Sequence, residues 1–150
     1  MLYLGADHRG FELKAKIDKW LTGRGIVFRD LGAFEYDTDD DYVDYAIAVA
    51  QEVAKDNDLH RGIVICGTGV GVDIAANKVK GVRCGLGFEA DQVHAARKDD
   101  DINILALSAD DTVEGKALSI VEMFLTTEFV ESERYVRRKE KIIRYEEKVD

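Results

Sequence analysis

Proline is absent from this chain of 150 residues, although average usage would supply about seven. Its turns must therefore rest on glycine, asparagine and aspartate. Cysteine is nearly absent as well. Cys66 and Cys84 are the only two; they are too few for a disulfide scaffold and have no CxxC spacing for zinc. A reducing compartment, the cytoplasm, is the expectation. No apolar run approaches ~18 residues, which excludes a membrane-spanning helix from the expectations. The opening MLYLGADHRG has no basic region followed by an apolar stretch, so no signal peptide is expected. Basic charge is also in deficit. Lys and Arg number 21 against 30 Asp and Glu, a net charge of −9, which argues against nucleic acid as a partner.

What is present is enough for a folded domain: 46% of residues are hydrophobic and 34% charged. The length predicts one domain over 1–150. Short apolar runs alternate with amphipathic stretches. Strands are predicted at 2–5, 26–28, 62–66, 82–88 and 102–107. Helices are predicted from Phe11 to the Gly23 and Gly25 stop, over 42–53, from Val72 to Lys78, and over 92–98, 113–125 and 134–148. The run Gly62-Ile63-Val64-Ile65-Cys66 has no polar alternation, as in a strand covered on both faces. The pattern predicts an α/β fold: a doubly wound, three-layer sandwich with a five-stranded parallel sheet, Rossmann- or flavodoxin-like, and a C-terminal helix. Ligands of such sheets sit beyond the carboxyl ends of the strands.

Chemistry-bearing residues fall at those ends. Cys66-Gly67-Thr68-Gly69-Val70-Gly71 places three glycines between a buried strand and a helix. Backbone N–H groups of such a loop, aided by the helix dipole, can hold an oxyanion, an enediolate or a sugar hydroxyl. It is neither a Walker A loop nor a dinucleotide fingerprint; the plainer reading is a tight βα turn. A thiol at Cys66 can serve as a base, with Thr68 within hydrogen-bonding range, or can pack as a small hydrophobe. Asp7-His8 ends the first strand and can orient a sugar or bind phosphate, or simply cap the helix. Arg134 and Arg138, spaced i, i+4, share a helix face that suits a phosphate dianion or a solvated surface. Cys84, His60 and His94 have no partner pattern, and no metal motif is seen.

Taken together, several segments resemble one family over about positions 2–145. They are Leu4 to Lys14, Gly62 to Gly71 followed by Ala75-Ala76-Asn77-Lys78, Asp41-Tyr42 with Asp44-Tyr45-Ala46, and Glu133 to Arg138. The family is the type B ribose-5-phosphate isomerases, grouped with the galactose-6-phosphate isomerase subunits. The resemblance implies a cofactor-free aldose–ketose isomerase of a small sugar phosphate, without metal, assembled as a homodimer or dimer of dimers with shared sites. It implies Cys66 as the base between C1 and C2, Thr68 as its activator, and Gly67, Gly69, Val70 and Gly71 as the enediolate cradle. It implies sugar contacts from Asp7, His8 and Tyr42, and phosphate contacts from Arg134 and Arg138.

The sequence departs from the family at two places. Asp99 and Asp100 stand where His-Asn is usual, and Ser108-Ala109-Asp110 stands where Gly-x-Arg is usual. Asp99 is then expected to act as the ring-opening acid and Asp100 to touch substrate, with Asp110 crowding the same position. Another sugar substrate, or a non-catalytic sugar-phosphate-binding subunit, stays open as an alternative.

Overall fold

The computed structural model describes residues 1–148; Val149 and Asp150, the last two positions of the expected domain, lie outside the described residues. Five strands and six helices follow one another as β1 (Leu2–Ala6), α1 (Phe11–Gly23), β2 (Phe28–Asp30), α2 (Tyr42–Ala54), β3 (Arg61–Cys66), α3 (Val70–Ala76), β4 (Cys84–Gly87), α4 (Ala90–Asp100), β5 (Ile104–Ser108), α5 (Glu114–Thr126) and α6 (Glu133–Glu146). All five strands are parallel and lie in one sheet, in the order β2-β1-β3-β5-β4. The predicted α/β class and five-stranded parallel sheet are observed. The order differs from a plain flavodoxin-like succession, because β5 inserts between β3 and β4.

Side chains alternate across this sheet and fill two cores. Leu2, Leu4, Ala6, Ile63, Ile65, Leu105 and Leu107 face α1, α4 and α5, where Ile17, Leu21, Ile120 and Phe124 meet them. Tyr3, Val64, Cys66, Ile104 and Ala106 face α2 and α3, against Val49, Val53 and Val72. The strands are apolar on both faces because helices cover both. α6 differs: it is amphipathic, yet none of its residues is buried.

Element boundaries moved for local reasons. β2 lies at 28–30 instead of 26–28, since Leu2, Tyr3 and Leu4 of β1 take Phe28, Arg29 and Asp30 as partners. α3 begins at Val70, two residues early, because Gly69 takes the left-handed conformation at φ 75° and starts the helix there. A Cβ on Gly69 would lie 2.9 Å from the carbonyl carbon of Leu107, so the position excludes other residues on two counts. α4 runs on to Asp100 and stops at Asp101, itself left-handed at φ 52°.

Asp101 anchors the amino-terminal edge of the sheet. Its carboxylate accepts from Arg83 at 2.9 Å, Arg97 at 2.8 Å and Lys139 at 3.0 Å, and its side chain is 7% exposed. Lys139 thereby ties α6 to the start of β5, and Glu146 ties it to Gly81 ahead of β4. Burial works against the Asp101 carboxylate, but hydrogen bonds from Arg97 and Lys139 and the charges of Arg83 and Lys139 prevail and hold it below its ordinary range. A lowered folded-state pKa adds stability above the ordinary carboxylate range and loses it as pH falls. Asp101→Asn, which keeps shape and tolerates the left-handed backbone, is expected to cost about 3–5 kcal/mol at pH 7. In urea unfolding, the gap to wild type should narrow steadily below pH ~4.

Candidate active site

Three strand ends build the site. At the end of β1 the chain turns sharply. Asp7 Oδ1 accepts from the Gly10 N–H at 3.0 Å, and the turn crosses the end of β3 so closely that a Cβ on Gly10 would lie 2.7 Å from the Ile65 carbonyl oxygen. Asp7 is buried, at 4% exposure. Burial pushes its carboxyl above the ordinary value, and the Gly10 N–H and His8 only partly oppose this. At the end of β3, Cys66 is a buried free thiol. The loop after β5 is stitched onto the next peptide: Ala109 N–H donates to the Cys66 carbonyl at 3.0 Å. The Gly67 carbonyl accepts from Asp110 N–H at 3.0 Å and from Ser108 Oγ at 2.8 Å.

The glycine loop is used at each step. Gly67 has no side chain, and the Arg9 guanidinium fills the space where a Cβ would stand. Arg9 pairs there with Asp110. Thr68 Oγ1 accepts from Val70 N–H at 3.4 Å, a bond that leaves its own proton to donate. The Tyr42 ring lies over Gly71, 2.7 Å from where its Cβ would be. The result is an open cavity of about 350 Å³ lined by Asp7, Arg9, Tyr42, Cys66, Gly67, Thr68, Val70, Gly71 and Ile74. It is large enough for a small ligand, at the low end of the usual range.

His8 stands beside this cavity and is turned toward the acidic loop. Asp40 Oδ1 takes both the His8 Nδ1, at 2.7 Å, and the His8 backbone N–H, at 3.1 Å. The Asp40 side chain is 7% exposed, and Tyr36 packs edge-on against the imidazole. Behind them, burial and the carboxylates of Asp40, Asp37 and Asp44 push the Tyr45 phenol up. Asp7, His8 and Asp40 offer ligand atoms within 4.8 Å of one another, yet His8 Nδ1 and Asp40 Oδ1 already satisfy each other.

The structure therefore gathers Asp7, Tyr42, Cys66, Gly67, Thr68, Val70 and Gly71 around one cavity, with Gly69 in the same loop and His8 alongside. It does not bring the remaining expected residues there within one chain. Asp99, half-buried beside Lys98, and exposed Asp100 end α4, ahead of β5. Arg134 and Arg138 are exposed on α6, which is tied to the amino-terminal edge. The length of β5, about 15 Å at five residues, separates that edge from Cys66. The expected crowding of Asp99 and Asp100 against Asp110 is accordingly not found in the chain, and Asp110 is the counter-ion of Arg9. Two site residues went unread in the sequence: Asp40, hidden in a run of six acids between 35 and 44, and Arg9, whose partner is 101 residues away. Cys84 lies at the start of β4; burial and Asp73 push its thiol well up. His60 and His94 make structural bonds to Glu52 and Thr127.

A family model described as Ribose/Galactose Isomerase matches residues 2–142. The chain belongs to the ribose/galactose isomerase family. Ribose-5-phosphate isomerase B of Mycobacterium tuberculosis is 40% identical over 146 residues, covering 97% of this chain and 89% of that protein. The crystal structure of ribose-5-phosphate isomerase B from Mycoplasma genitalium with bound ribulose-5-phosphate superposes with a TM-score of 0.94 at 42% identity, over 97% of this chain and 95% of that one. The Clostridium thermocellum ribose-5-phosphate isomerase B structure gives 0.93 at 38% identity, over 99% of each chain.

For this family member, the raised Asp7 carboxyl has a measurable sign. A group whose pKa is raised by folding has its full stabilising contribution below the unfolded-state value and loses it as pH rises through the folded-state value. Asp7→Asn keeps an acceptor for Gly10 N–H and removes the ionisation. It is expected to be more stable than wild type to thermal unfolding at neutral pH, and equal to it below the carboxylate range.

Proposed function

We propose that this chain is an aldose–ketose isomerase that interconverts ribose 5-phosphate and ribulose 5-phosphate. The observation that carries this reading is the buried Cys66 thiol, set at a strand end beside a glycine loop in a cavity with Asp7 and Thr68. Family membership and the likeness to a protein crystallised with ribulose-5-phosphate support it. The reaction moves hydrogen within one molecule and needs no external oxidant. Cys66, as thiolate, takes the proton from C2 of the open-chain aldose, and the electrons of that C–H bond form the C1–C2 double bond of an enediolate. The C1 carbonyl π pair moves to O1 in that step; as the same sulfur returns the proton to C1, the C2–O bond becomes the carbonyl and the O2 proton passes to O1. N–H groups of the 67–71 loop, which lines the cavity, would hold the oxygen that gains charge, where preorganised donors are most effective. Thr68, with its proton uncommitted, donates toward the sulfur or the sugar oxygen. Asp7, whose carboxyl burial raises above its ordinary value, hydrogen-bonds a sugar hydroxyl.

The phosphate end of the site comes from a second copy of the chain in this proposal. Arg134 and Arg138 are exposed on a helix none of whose residues is fully buried in its own chain, and a neighbour's α6 and α4 end would bring them, with Asp99 and Asp100, to Cys66. A homodimer is thus the smallest working unit. Two unpaired cysteines fit a reducing compartment, the cytoplasm. Among the described residues no helix is long and apolar enough to cross a membrane.

Ribose 5-phosphate turnover, followed by formation of the ketose, tests the reading. Cys66→Ala should lower kcat by ~10²–10⁴-fold, the range of a positioned base, with the fold unchanged by circular dichroism; a loss under tenfold removes Cys66 from the role. Sharing of sites has its own check. Cys66→Ala and the double variant Arg134→Ala, Arg138→Ala should each be inactive alone and regain turnover when mixed and allowed to exchange subunits. A monomer of 16.8 kDa in sedimentation at micromolar concentration contradicts the shared site.

A further inference from the structure

Among the described residues that line the Cys66 cavity, Arg9 is the only cationic side chain. Its place is fixed from two directions. The guanidinium lies on the Gly67 backbone, in the space a side chain at 67 would fill. It also pairs with Asp110. Asp110 is exposed, but its backbone is pinned: its N–H donates to the Gly67 carbonyl at 3.0 Å, and Ser108 Oγ donates to the same carbonyl at 2.8 Å. Arg9, Gly67 and Asp110 therefore form one rigid contact next to the thiol. The Arg9 side chain is still 51% exposed, so donors of its five-donor fork remain available to the cavity.

The other ionisable groups around the cavity are Asp7, Tyr42 and Cys66, none of them cationic. Negative charge that develops there meets neutral donors, the backbone N–H groups and the Thr68 and Tyr42 hydroxyls, and one full positive charge, Arg9. We propose that Arg9 is a catalytic residue that stabilises the oxyanion of the enediolate, and that Asp110 is the positioning residue that holds its guanidinium over Gly67. This rests on the isomerase reading above and assigns a role in it to the residue next to His8. The placement against Gly67, the neighbour of Cys66, directs Arg9 to the carbons where the proton moves. A cation placed for the remote phosphate would stand away from the thiol. Asp110 tempers the charge of Arg9 in the resting cavity and fixes its orientation, so that no reorganisation is needed as the oxyanion forms.

The experiment measures kcat and KM for ribose 5-phosphate, together with calorimetric binding of a sugar-acid-phosphate hydroxamate, which is planar and anionic like the enediolate. Arg9→Gln is expected to lower kcat about 10- to 100-fold, less than for a buried donor because the group is half-exposed, with KM within about twofold. Hydroxamate binding should weaken by a similar factor, as a mimic of the transition state must. Arg9→Lys keeps the charge without the fork and should recover part of the loss. Asp110→Asn should lower kcat at unchanged KM, and Asp110→Glu should restore it, a split that a purely structural contact would not give. An Arg9→Gln enzyme with kcat within twofold of wild type overturns the proposal. A raised KM at unchanged kcat also overturns it, because Arg9 would then bind the phosphate. A wild type that binds the hydroxamate without turning over ribose 5-phosphate counts against the isomerase reading alone. In that case Arg9→Gln still decides the proposal: weakened hydroxamate binding supports it, and unchanged binding overturns it.

Discussion

The Gly67 carbonyl oxygen accepts two hydrogen bonds from the loop after β5, one from a backbone N–H and one from the Ser108 hydroxyl. With the Ala109 N–H on the Cys66 carbonyl, they clamp the β3 and β5 ends together at the one place where a thiol meets a glycine loop. The rest of the site is arranged around that clamp. α3 starts from it through the left-handed Gly69. Arg9 lies upon it because Gly67 has no side chain. The loop after β1 reaches it because Gly10 lets the turn pass over Ile65. Three consecutive strand-end loops thus share contacts of a few ångströms, and a shift in any one is felt by the other two.

Much of this was legible in the sequence. A proline-free chain with alternating apolar runs and amphipathic stretches could hardly be other than α/β, and the apolar runs at 62–66 and 104–107 carry the signature of strands covered on both sides. The glycine loop was legible because glycine requirements are local: a left-handed turn and a close backbone approach leave few other residues possible. What was not legible was long-range. The Arg9–Asp110 pair joins residues from opposite ends of the chain, and His8–Asp40 spans 32 positions. Neither has a spacing rule. The stretch 35–44 holds six carboxylates, and nothing in its composition singles out Asp40 as the one that turns inward. Strand order was equally hidden, since insertion of β5 between β3 and β4 is decided by tertiary packing.

Charge is divided between the two edges of the sheet. The amino-terminal edge concentrates Arg83, Arg97 and Lys139 on the single buried carboxylate of Asp101, a network in which removal of one member strands the others. The carboxyl-terminal edge carries Asp7, Asp40 and Asp110, each matched to a neighbour in the β1–α1 turn: Gly10 N–H, His8 and Arg9. The first edge is built for rigidity. The second keeps its partners partly exposed and so within reach of a ligand. One fold thereby uses ion pairs in two ways, as mortar at one end and as orientation at the other.

The position of β5 in the sheet has a consequence for how the chain acquires its structure. β4 is hydrogen-bonded to β5 alone, and β3 faces β5 on the side away from β1. As the polypeptide leaves the ribosome, β1, β2 and β3 can pair as soon as residue 66 has emerged, but β4 arrives with no strand to accept it. It waits until residues 104–108 slot into the gap between its own edge and β3. The pairing pattern is therefore divided at the middle of the chain: β1, β2 and β3 come from the first half, and β4 joins them only through β5. The longest-range strand pairing, β1 with β3, belongs to the first half, and the insertion of β5 then closes the second half onto it through β3 and β4.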